Sequence, residues 1–344
     1  MAKLVSLGFS VPRTEYSQEK IFAALGYPSR FWGIFSGAGI EKRHFWVPAE
    51  KIKEMSWQGM CEEFEKGSVE LTTKAILNCL DGRDIKDIGL ATFASCTGYL
   101  CPSTIHRLDL GFKEDTFFTA VVGQGCEGGG FPGLKRAFDF TTATGKPSIV
   151  VACELCSCTY FPEGDKPDPE NDYELLRGNA IFADAASAAL VENSDSNDYP
   201  TIVDFEVFTN SAYVNDLGYT WRDGRLRLRL SKNVPLHAAE VGGQAVSRLL
   251  QKYHLDIGDI EHWIIHAAGN RILNLIRDNL GIDEEKLYFS RKVLRNFGNV
   301  SSATVGIIGK FLFNEARPKR GDHLIMVTIG PGMSGGSVLF RWGC

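Results

Sequence analysis

The sequence contains no apolar run that approaches the ~18 consecutive residues of a membrane-spanning helix. It also has no long basic run, and its 37 Lys and Arg are outnumbered by 42 Asp and Glu, for a net charge of -5. The amino-terminal stretch MAKLVSLGFSVP has too short an apolar segment for a secretory signal, because Pro12 and Arg13 follow at once. These absences argue against membrane insertion, nucleic-acid binding and secretion, and we expect a cytoplasmic protein.

The cysteines give little evidence of a disulfide framework, because there are nine of them and they are scattered through the chain. Cys153 and Cys156 form a CxxC pair, but Cys153 follows the apolar run SIVVA, which is typical of a buried strand. No second CxxC or HxxxH pair accompanies them in the sequence. Small core residues are therefore favoured over a zinc site, and we expect no bound metal.

Two segments with the same pattern lie half a chain apart. Residues 84–88 read DIKDI before the apolar run GLATFASC, and residues 256–260 read DIGDI before EHWIIHAAG. Amphipathic helical patterns precede both copies, and Gly125-Cys126 in the first corresponds to Gly298-Asn299 in the second. Alternating helix and strand signals favour mostly parallel sheets covered by helices. We predict two related halves that form a five-layered α/β/α/β/α sandwich with a pseudo-twofold axis.

The stretch GQGCEGGG, at residues 123–130, places one cysteine among five glycines. This pattern predicts a sharp elbow between a strand and a helix, with unusual backbone conformations at Gly123 and Gly125. A thiol at the start of a helix lies at the positive end of the helix dipole, which lowers its pKa. An inert buried cysteine is the ordinary alternative, but the glycine context favours a reactive Cys126.

Two polar residues occupy positions related to that of Cys126. His266 ends the apolar run WIIHAAG, and Asn299 stands at the elbow that mirrors Cys126. Their ordinary alternatives are a core histidine and an N-cap for a helix that begins near Ser301. We expect Cys126, His266 and Asn299 at equivalent strand ends of the two halves. Active sites of parallel α/β folds gather at such ends, so all three residues can point into one cavity. A Cys–His pair suggests a covalent acyl intermediate. A papain-like protease has similar residues, but the duplicated architecture argues against it.

Nine short motifs are spread in order over nearly the whole chain: GIEKRHFW, CTGYLCPS, GQGCEGGG, VACELCS, NAIFADAASAALV, LSKNVPLHAAE, WIIHAAGNRIL, RNFGNVSSATV and IGPGMSGGS. In their order and spacing, the chain resembles the thiolase-fold condensing enzymes. Within that group it is similar to the type III polyketide synthases (chalcone and stilbene synthase relatives) and, more distantly, to ketoacyl synthase III. The resemblance implies a homodimer whose chain has a thiolase-like half with the nucleophile at 1–195 and a second half with His and Asn at 196–344.

The resemblance also implies a mechanism. Cys126 would take an acyl group from a thioester, and His266 and Asn299 would bind the thioester carbonyl of a malonyl-type extender. Their hydrogen bonds would stabilise the enolate left by decarboxylation, which attacks the acyl-Cys carbon. Implied substrate contacts are the gatekeeper Phe182, the acyl-pocket residues Thr97 and Tyr99, the second gatekeeper position at Leu228, and Gly332 in the loop against the nucleophile.

Three features depart from the family pattern. Leu228, in DGRLRLRLSK, stands where the family has a second gatekeeper phenylalanine, and the alternation there predicts a strand with one charged face. The positions of the basic residues that bind coenzyme A phosphates read Arg30, Gly33 and Gly37, so two of three positive charges are missing. Glu127 directly follows the nucleophile. The missing charges make a donor bound to a carrier protein credible beside free coenzyme A thioesters.

We therefore expect an acyltransferase that forms carbon–carbon bonds by Claisen condensation of a Cys-bound acyl chain with a malonyl- or β-ketoacyl-thioester. The alternative is a stand-alone ketosynthase that joins two acyl chains, at least one of them delivered by an acyl carrier protein. Such an enzyme can give a pyrone or a related ring. A degradative thiolase is disfavoured because no second cysteine stands in a matching carboxyl-terminal glycine motif. We expect no cofactor apart from the coenzyme A or phosphopantetheine of the substrates.

Overall fold

The computed structural model describes residues 1–160, 172–222 and 224–343. The strands in these residues are β1 (Ala2–Ser10), β2 (Glu15–Ser17), β3 (Lys42–His44), β4 (Leu90–Ala94), β5 (Phe117–Val121), β6 (Ser148–Leu155), β7 (Asp184–Asn193), β8 (Pro200–Thr209), β9 (Leu217–Arg222), β10 (Arg225–Leu230), β11 (His262–Ile265), β12 (His323–Gly330) and β13 (Ser334–Trp342). The helices are α1 (Gln18–Leu25), α2 (Trp32–Ser36), α3 (Trp57–Leu80), α4 (Leu134–Thr144), α5 (Asp172–Ile181), α6 (Val234–Tyr253), α7 (Asn270–Leu280), α8 (Tyr288–Phe297) and α9 (Thr304–Glu315).

The large sheet consists of two parts. The first has the strand order β5-β4-β6-β7-β1, and the second continues with β8-β13-β12-β11. The pairing that joins them in this sheet is short, with Lys3 of β1 opposite Thr201 of β8. The predicted division between residues 195 and 196 falls between β7 and β8. As a boundary between two separate units, it stays a prediction.

The pairing within the sheet is mixed, and the expectation of mostly parallel sheets is wrong. β4 pairs in parallel with β5 and β6, and β11 pairs in parallel with β12. β7 is antiparallel to β1 and β6, and β13 is antiparallel to β12 and β8. The connection from β12 to β13 has only three residues between Gly330 and Ser334. Such a short connection can join neighbouring strands only when they are antiparallel.

Helices cover and separate the two parts of the sheet. α3 packs on β1, β6 and β7, and α6 packs on β8, β12 and β13. α9 contacts β1 and β11, so it lies between the two parts, and Gly309 on this helix faces both Leu7 and Ile264. Phe138 of α4 packs on Phe205 of β8 in the same layer. The order α3, sheet, α4 with α9, sheet, α6 is the predicted five-layered sandwich.

The sequence of α3 shows why it forms an outer layer. The Ser56 hydroxyl accepts a hydrogen bond from the Gly59 amide at 3.1 Å and caps the first turn. Met60, Phe64 and Leu71 are buried at spacings of four and seven residues, which places them on one face of the helix. In the described part of the chain, no helix has both the length and the apolar character needed to cross a membrane.

A separate hairpin of β9 and β10 lies outside the large sheet. Leu228 is opposite Tyr219 and Leu226 is opposite Trp221 in its register. These residues share one face because side chains alternate along a strand. The predicted strand with one apolar and one arginine face is thus confirmed as β10 (Arg225–Leu230).

Candidate active site

The predicted elbow around Cys126 is present. β5 ends at Val121, and a 3-10 turn over Gly125–Glu127 and a π-helical turn over Gly129–Gly133 lead into α4. Gly125 has a φ of 52°, and a Cβ at this position would lie 2.5 Å from Cδ of Pro331. Any larger residue at Gly125 would therefore have both an unfavourable backbone conformation and a clash. The sequence at this point positions the cysteine against the loop that follows β12.

The predicted lowering of the Cys126 pKa is wrong for this structure. The pKa of Cys126 is raised to about 12, chiefly because the thiol is buried, with smaller contributions from the carboxyl groups of Glu154 and Glu127. A hydrogen bond with Ser301 has the opposite effect but is the smaller contribution. Desolvation therefore outweighs any helix dipole at this short turn, and the resting side chain is a neutral thiol.

A buried carboxyl that the sequence analysis missed organises the surroundings of the thiol. Ser301 Oγ lies 3.3 Å from Cys126 Sγ and 3.2 Å from Glu154 Oε1. Glu154 also accepts hydrogen bonds from the amide of Cys96, at 3.0 Å, and from the hydroxyl of Ser302. Burial raises the pKa of Glu154, although these donors favour its charged form. The single acidic residue in the buried run SIVVACEL was the signal for this group, because a buried carboxyl needs partners.

Thr97 belongs to the same network. Its hydroxyl donates to Glu154 Oε2 at 2.9 Å and accepts from the Leu155 amide at 2.9 Å. The side chain is 2% exposed and is not part of the cavity wall among the described residues. Thr97 therefore holds Glu154 in place behind the wall, and its contact with a substrate stays a prediction.

His266 follows β11, as predicted, at the carboxyl end of that strand. Its side chain is 1% exposed, and neither ring nitrogen has a hydrogen-bond partner among the described residues. Burial lowers the pKa of His266 to about 4, so the imidazole is neutral at physiological pH. A neutral imidazole has one N–H, and this group can donate a hydrogen bond to an acceptor atom that enters the site.

Asn299 lies close to the end of the His266 strand, but a helix precedes it. α8 ends at Phe297 and Gly298 follows, so the expectation that Asn299 terminates a strand is wrong. Its Nδ2 donates to the Ala268 carbonyl at 3.4 Å, and the Ala268 amide donates to the His266 carbonyl at 2.9 Å. Its Oδ1 accepts from the Ser301 amide at 2.9 Å, but the N-cap of the 3-10 turn at Ser301–Ala303 is Val300, so the expectation of an Asn299 N-cap is wrong.

Ser301 therefore connects two of the three predicted residues, Cys126 and Asn299. It has a φ of 50°, in the left-handed region that residues other than glycine rarely adopt. Such a conformation costs of order 1–3 kcal/mol and is concentrated at functional sites. The bonds of Ser301 to Asn299, Cys126 and Glu154 hold it in this conformation.

A cavity of about 650 Å³ opens beside the thiol. Cys126, Ser301 and Cys96 line it together with largely apolar side chains. Of the predicted contacts, those in its wall are Phe182, Tyr99, Leu228 and Gly332. Tyr99 is 75% exposed, so it forms part of the rim, whereas Phe182 and Leu228 are buried. His266 and Asn299 are not among the described wall residues, although Asn299 is hydrogen-bonded to Ser301, which is one of them.

A buried arginine fixes the backbone of Phe182. Nη1 of Arg43 donates to the Phe182 carbonyl at 2.8 Å and to the Asn179 carbonyl at 2.7 Å, and Tyr160 also donates to the Phe182 carbonyl. Phe182 forms an isolated parallel bridge with Asn299. Phe182, the predicted gatekeeper, and Asn299 are thus joined directly through their backbones.

The positions that carry phosphate-binding cations in the resembling family lie on and beside α2. Gly33 and Gly37 contribute no side chain, and Arg30 is exposed, with its guanidinium 4.6 Å from the centroid of the Phe31 ring. Arg30 therefore remains able to meet an anion, but it does so alone among these three positions. The three positions supply less positive charge than the family pattern does.

Comparisons with known proteins agree with this geometry. A family model described as "3-Oxoacyl-[acyl-carrier-protein (ACP)] synthase III C terminal" matches residues 250–342. A 3,5-dihydroxyphenylacetyl-CoA synthase of Streptomyces toyocaensis is 26% identical, covering 99% of this chain and 90% of the relative. A 1,3,6,8-tetrahydroxynaphthalene synthase of Streptomyces coelicolor is 28% identical, covering 90% of this chain and 82% of the relative.

Solved structures are similar over the whole chain. The crystal structure of 1,3,6,8-tetrahydroxynaphthalene synthase from Streptomyces coelicolor A3(2) matches with a TM-score of 0.89 and 24% identity, covering 99% of both chains. A type III pentaketide synthase from Neurospora crassa matches with a TM-score of 0.85 and 20% identity, also covering 99% of both chains. These matches confirm the fold expected from the resemblance.

Proposed function

We propose that Cys126 is the acyl-accepting nucleophile of this chain, which is a thiolase-fold condensing enzyme of the type III polyketide synthase group. The enzyme is an acyltransferase that forms carbon–carbon bonds by Claisen condensation. One observation carries the assignment of the nucleophile: Cys126 Sγ faces the 650 Å³ cavity and lies 3.3 Å from the hydroxyl of Ser301, next to Asn299. Relatives named 3,5-dihydroxyphenylacetyl-CoA synthase and 1,3,6,8-tetrahydroxynaphthalene synthase cover 99% and 90% of this chain, and they do not favour the alternative of a stand-alone ketosynthase.

The reaction begins with acyl transfer. The thiol of Cys126 attacks an acyl thioester, the new Sγ–acyl bond forms, and the donor leaves as a free thiol that takes the proton. Because the resting thiol is neutral, the thiolate forms only as the donor enters the site, and Ser301 stabilises it by donating a hydrogen bond. The apolar wall of the cavity then holds the acyl chain.

Condensation uses the other two polar residues. The N–H of neutral His266 and the amide of Asn299 donate to the carbonyl oxygen of a malonyl thioester, which loses carbon dioxide and becomes an enolate. The enolate carbon attacks the acyl carbon on Cys126, and the Cys126 thiolate leaves. Neither ring nitrogen of His266 has a partner among the described residues, which supports this role, because a buried N–H of this kind is available to a substrate oxygen.

The substrates are coenzyme A thioesters in this proposal, with an acyl starter that is largely apolar. The names of the relatives refer to aromatic products, 3,5-dihydroxyphenylacetyl-CoA and 1,3,6,8-tetrahydroxynaphthalene, so a cyclised aromatic or pyrone product is the corresponding expectation. We also infer a homodimer and a cytoplasmic location. The latter agrees with the eight described cysteines, which are all free thiols.

The test is intact-protein mass spectrometry with a panel of acyl donors. Wild-type protein and Cys126→Ala are incubated with acyl-coenzyme A thioesters of increasing length and with the same acyl groups on a carrier protein. We expect an acyl adduct on wild type alone, with coenzyme A donors preferred. If only the carrier-protein donors give adducts, the natural donor is a carrier-bound acyl group and not the proposed coenzyme A thioester. A folded protein that no donor acylates would refute the function.

A further inference from the structure

Glu127 is a buried carboxyl directly beside the nucleophile. It is 2% exposed, and its Oε2 has no hydrogen-bond partner among the described residues. The partner of the carboxyl is the hydroxyl of Ser334, which itself accepts a hydrogen bond from Thr209 Oγ1 at 3.0 Å. None of the steps described above uses this carboxyl. A buried acid with so few partners is costly to keep charged, so it needs an explanation.

The packing around Glu127 fixes its position. A Cβ at Gly330 would lie 2.7 Å from Cγ of Glu127 and 3.0 Å from its Cδ, so this side chain fills the space that glycine leaves. Gly330 ends β12, and the next two residues, Pro331 and Gly332, line the cavity. The carboxyl therefore lies between the turn that carries the thiol and the loop that forms the opposite wall. It cannot turn away to solvent without displacing one of them.

The charges around the two residues are few. The pKa of Glu127 is raised to about 7, because the effect of burial is larger than that of the hydrogen bond with Ser334, which lowers the pKa. The titratable groups that interact with Cys126 are Glu127, Glu154, Cys96 and Cys156, and each of them is neutral or negative. The buried His266 is neutral as well. No cation among these groups offsets a negative charge on Glu127.

We propose that Glu127 is a positioning residue that makes the reactivity of the Cys126 thiol depend on pH, with the neutral acid favouring thiolate formation and the charged carboxylate opposing it. The inference rests on the proposed role of Cys126 as nucleophile. Between two interacting acids, ionisation of one makes ionisation of the other harder. The condensing enzyme therefore loads its starter less readily above neutral pH than its thiol alone would allow.

The experiment measures alkylation of Cys126 by iodoacetamide between pH 5.5 and 9, with peptide mass spectrometry to separate Cys126 from the other cysteines. The isosteric Glu127→Gln variant removes the charge and keeps the shape. We expect the two proteins to react at the same rate below pH 6, where Glu127 is neutral. Above pH 8 we expect Glu127→Gln to react about tenfold faster, which corresponds to one pKa unit at the thiol.

A second variant keeps the test decisive if Glu127→Gln does not fold. Ser334→Ala removes the hydroxyl that stabilises the charged form of Glu127. In this variant, the change in alkylation rate that Glu127 causes should therefore occur at a higher pH than in wild type. Profiles of wild type and Glu127→Gln that stay parallel over the whole range would overturn the proposal, as would a Ser334→Ala profile that superposes on wild type. Because alkylation needs no acyl donor, a failure of the proposed function would appear separately, as an absence of acyl loading.

Discussion

The hydroxyl of Ser301 lies 3.3 Å from Sγ of Cys126, and it is the hydrogen-bond partner that the structure gives this thiol. The same hydroxyl lies 3.2 Å from Glu154 Oε1, whereas the ring nitrogens of His266 have no hydrogen-bond partner among the described residues. A hydroxyl has one proton to donate, so its bond to sulfur strengthens when the thiol becomes a thiolate. Ser301 thus stabilises the nucleophile in its reactive form.

Replacing Ser301 by Ala should slow acyl loading. A hydrogen bond to a charged group contributes about 1.5 kcal/mol or more, so we expect alkylation and acylation of Cys126 to slow about tenfold at pH 8. Ser302→Ala is the matched control, because Ser302 binds Glu154 but has no bond to Cys126. Stopped-flow or quenched mass spectrometry checks both variants. Equal rates for Ser301→Ala and wild type would show that Ser301 does not stabilise the thiolate.

Replacing His266 by Ala should separate loading from condensation. The acyl-enzyme should still form, but decarboxylation of malonyl-coenzyme A should fall about 100-fold, as for the loss of one oxyanion donor. Because the pKa of His266 is about 4, its titration should cause no loss of activity between pH 8 and pH 6. His262→Gln on the same strand is the control, since His262 pairs with Asp322 instead. Normal decarboxylation by His266→Ala would remove His266 from the mechanism.

Replacing Leu228 by Ala should enlarge the acyl pocket. Leu228 is buried in the cavity wall, and its Cδ2 lies 2.1 Å from the position of a Cβ at Gly178, so the strand and α5 are tightly packed there. Leu230→Ala, two residues along the same face, is outside the described wall and gives the control. Both variants should lose of order 2–5 kcal/mol of stability. With acyl-coenzyme A donors of increasing length, a preference for longer chains should appear in Leu228→Ala only.

Replacing Glu127 by Gln should change how stability depends on pH. The folded pKa of Glu127 is raised from 4.5 to about 7, so the folded protein keeps a proton that the unfolded chain releases. The contribution of this group to stability is therefore fully present below pH 4.5 and is lost as the pH rises through 7. Relative to Glu127→Gln, wild type should lose about 3 kcal/mol over that range. Urea unfolding at pH 5, 6, 7 and 8 measures it, and a constant difference would mean that the pKa of Glu127 is ordinary.

The sequence predicted the architecture because its strongest signals are local. The glycines around Cys126, the alternation in β10 and the amphipathic patterns of α3 and α6 each specify one conformation without distant contacts. The expected strand end at Asn299 was wrong because the stretch YFSRKVLRNF forms α8, whereas β5 precedes Cys126 in the first half. The two positions are thus preceded by different elements.

The electrostatics of the site were not predictable in the same way. Desolvation of Cys126 depends on how completely Glu154, Ser301 and the loop after β12 enclose it, and these come from distant parts of the chain. A helix dipole can be inferred from a local pattern, whereas burial requires the folded structure. The role of Ser301 was likewise hidden, because its left-handed conformation depends on the bond from its amide to Asn299.

The most direct test of the account is a single turnover of the isolated acyl-enzyme. Wild-type protein is loaded with an acyl-coenzyme A, freed of donor by desalting, and mixed with malonyl-coenzyme A, while intact mass and released products are followed together. The account predicts that the adduct on Cys126 disappears as an acyl chain extended by a malonyl-derived unit appears, with release of carbon dioxide. An adduct that stays on Cys126, or that leaves only as the free acid, would contradict it.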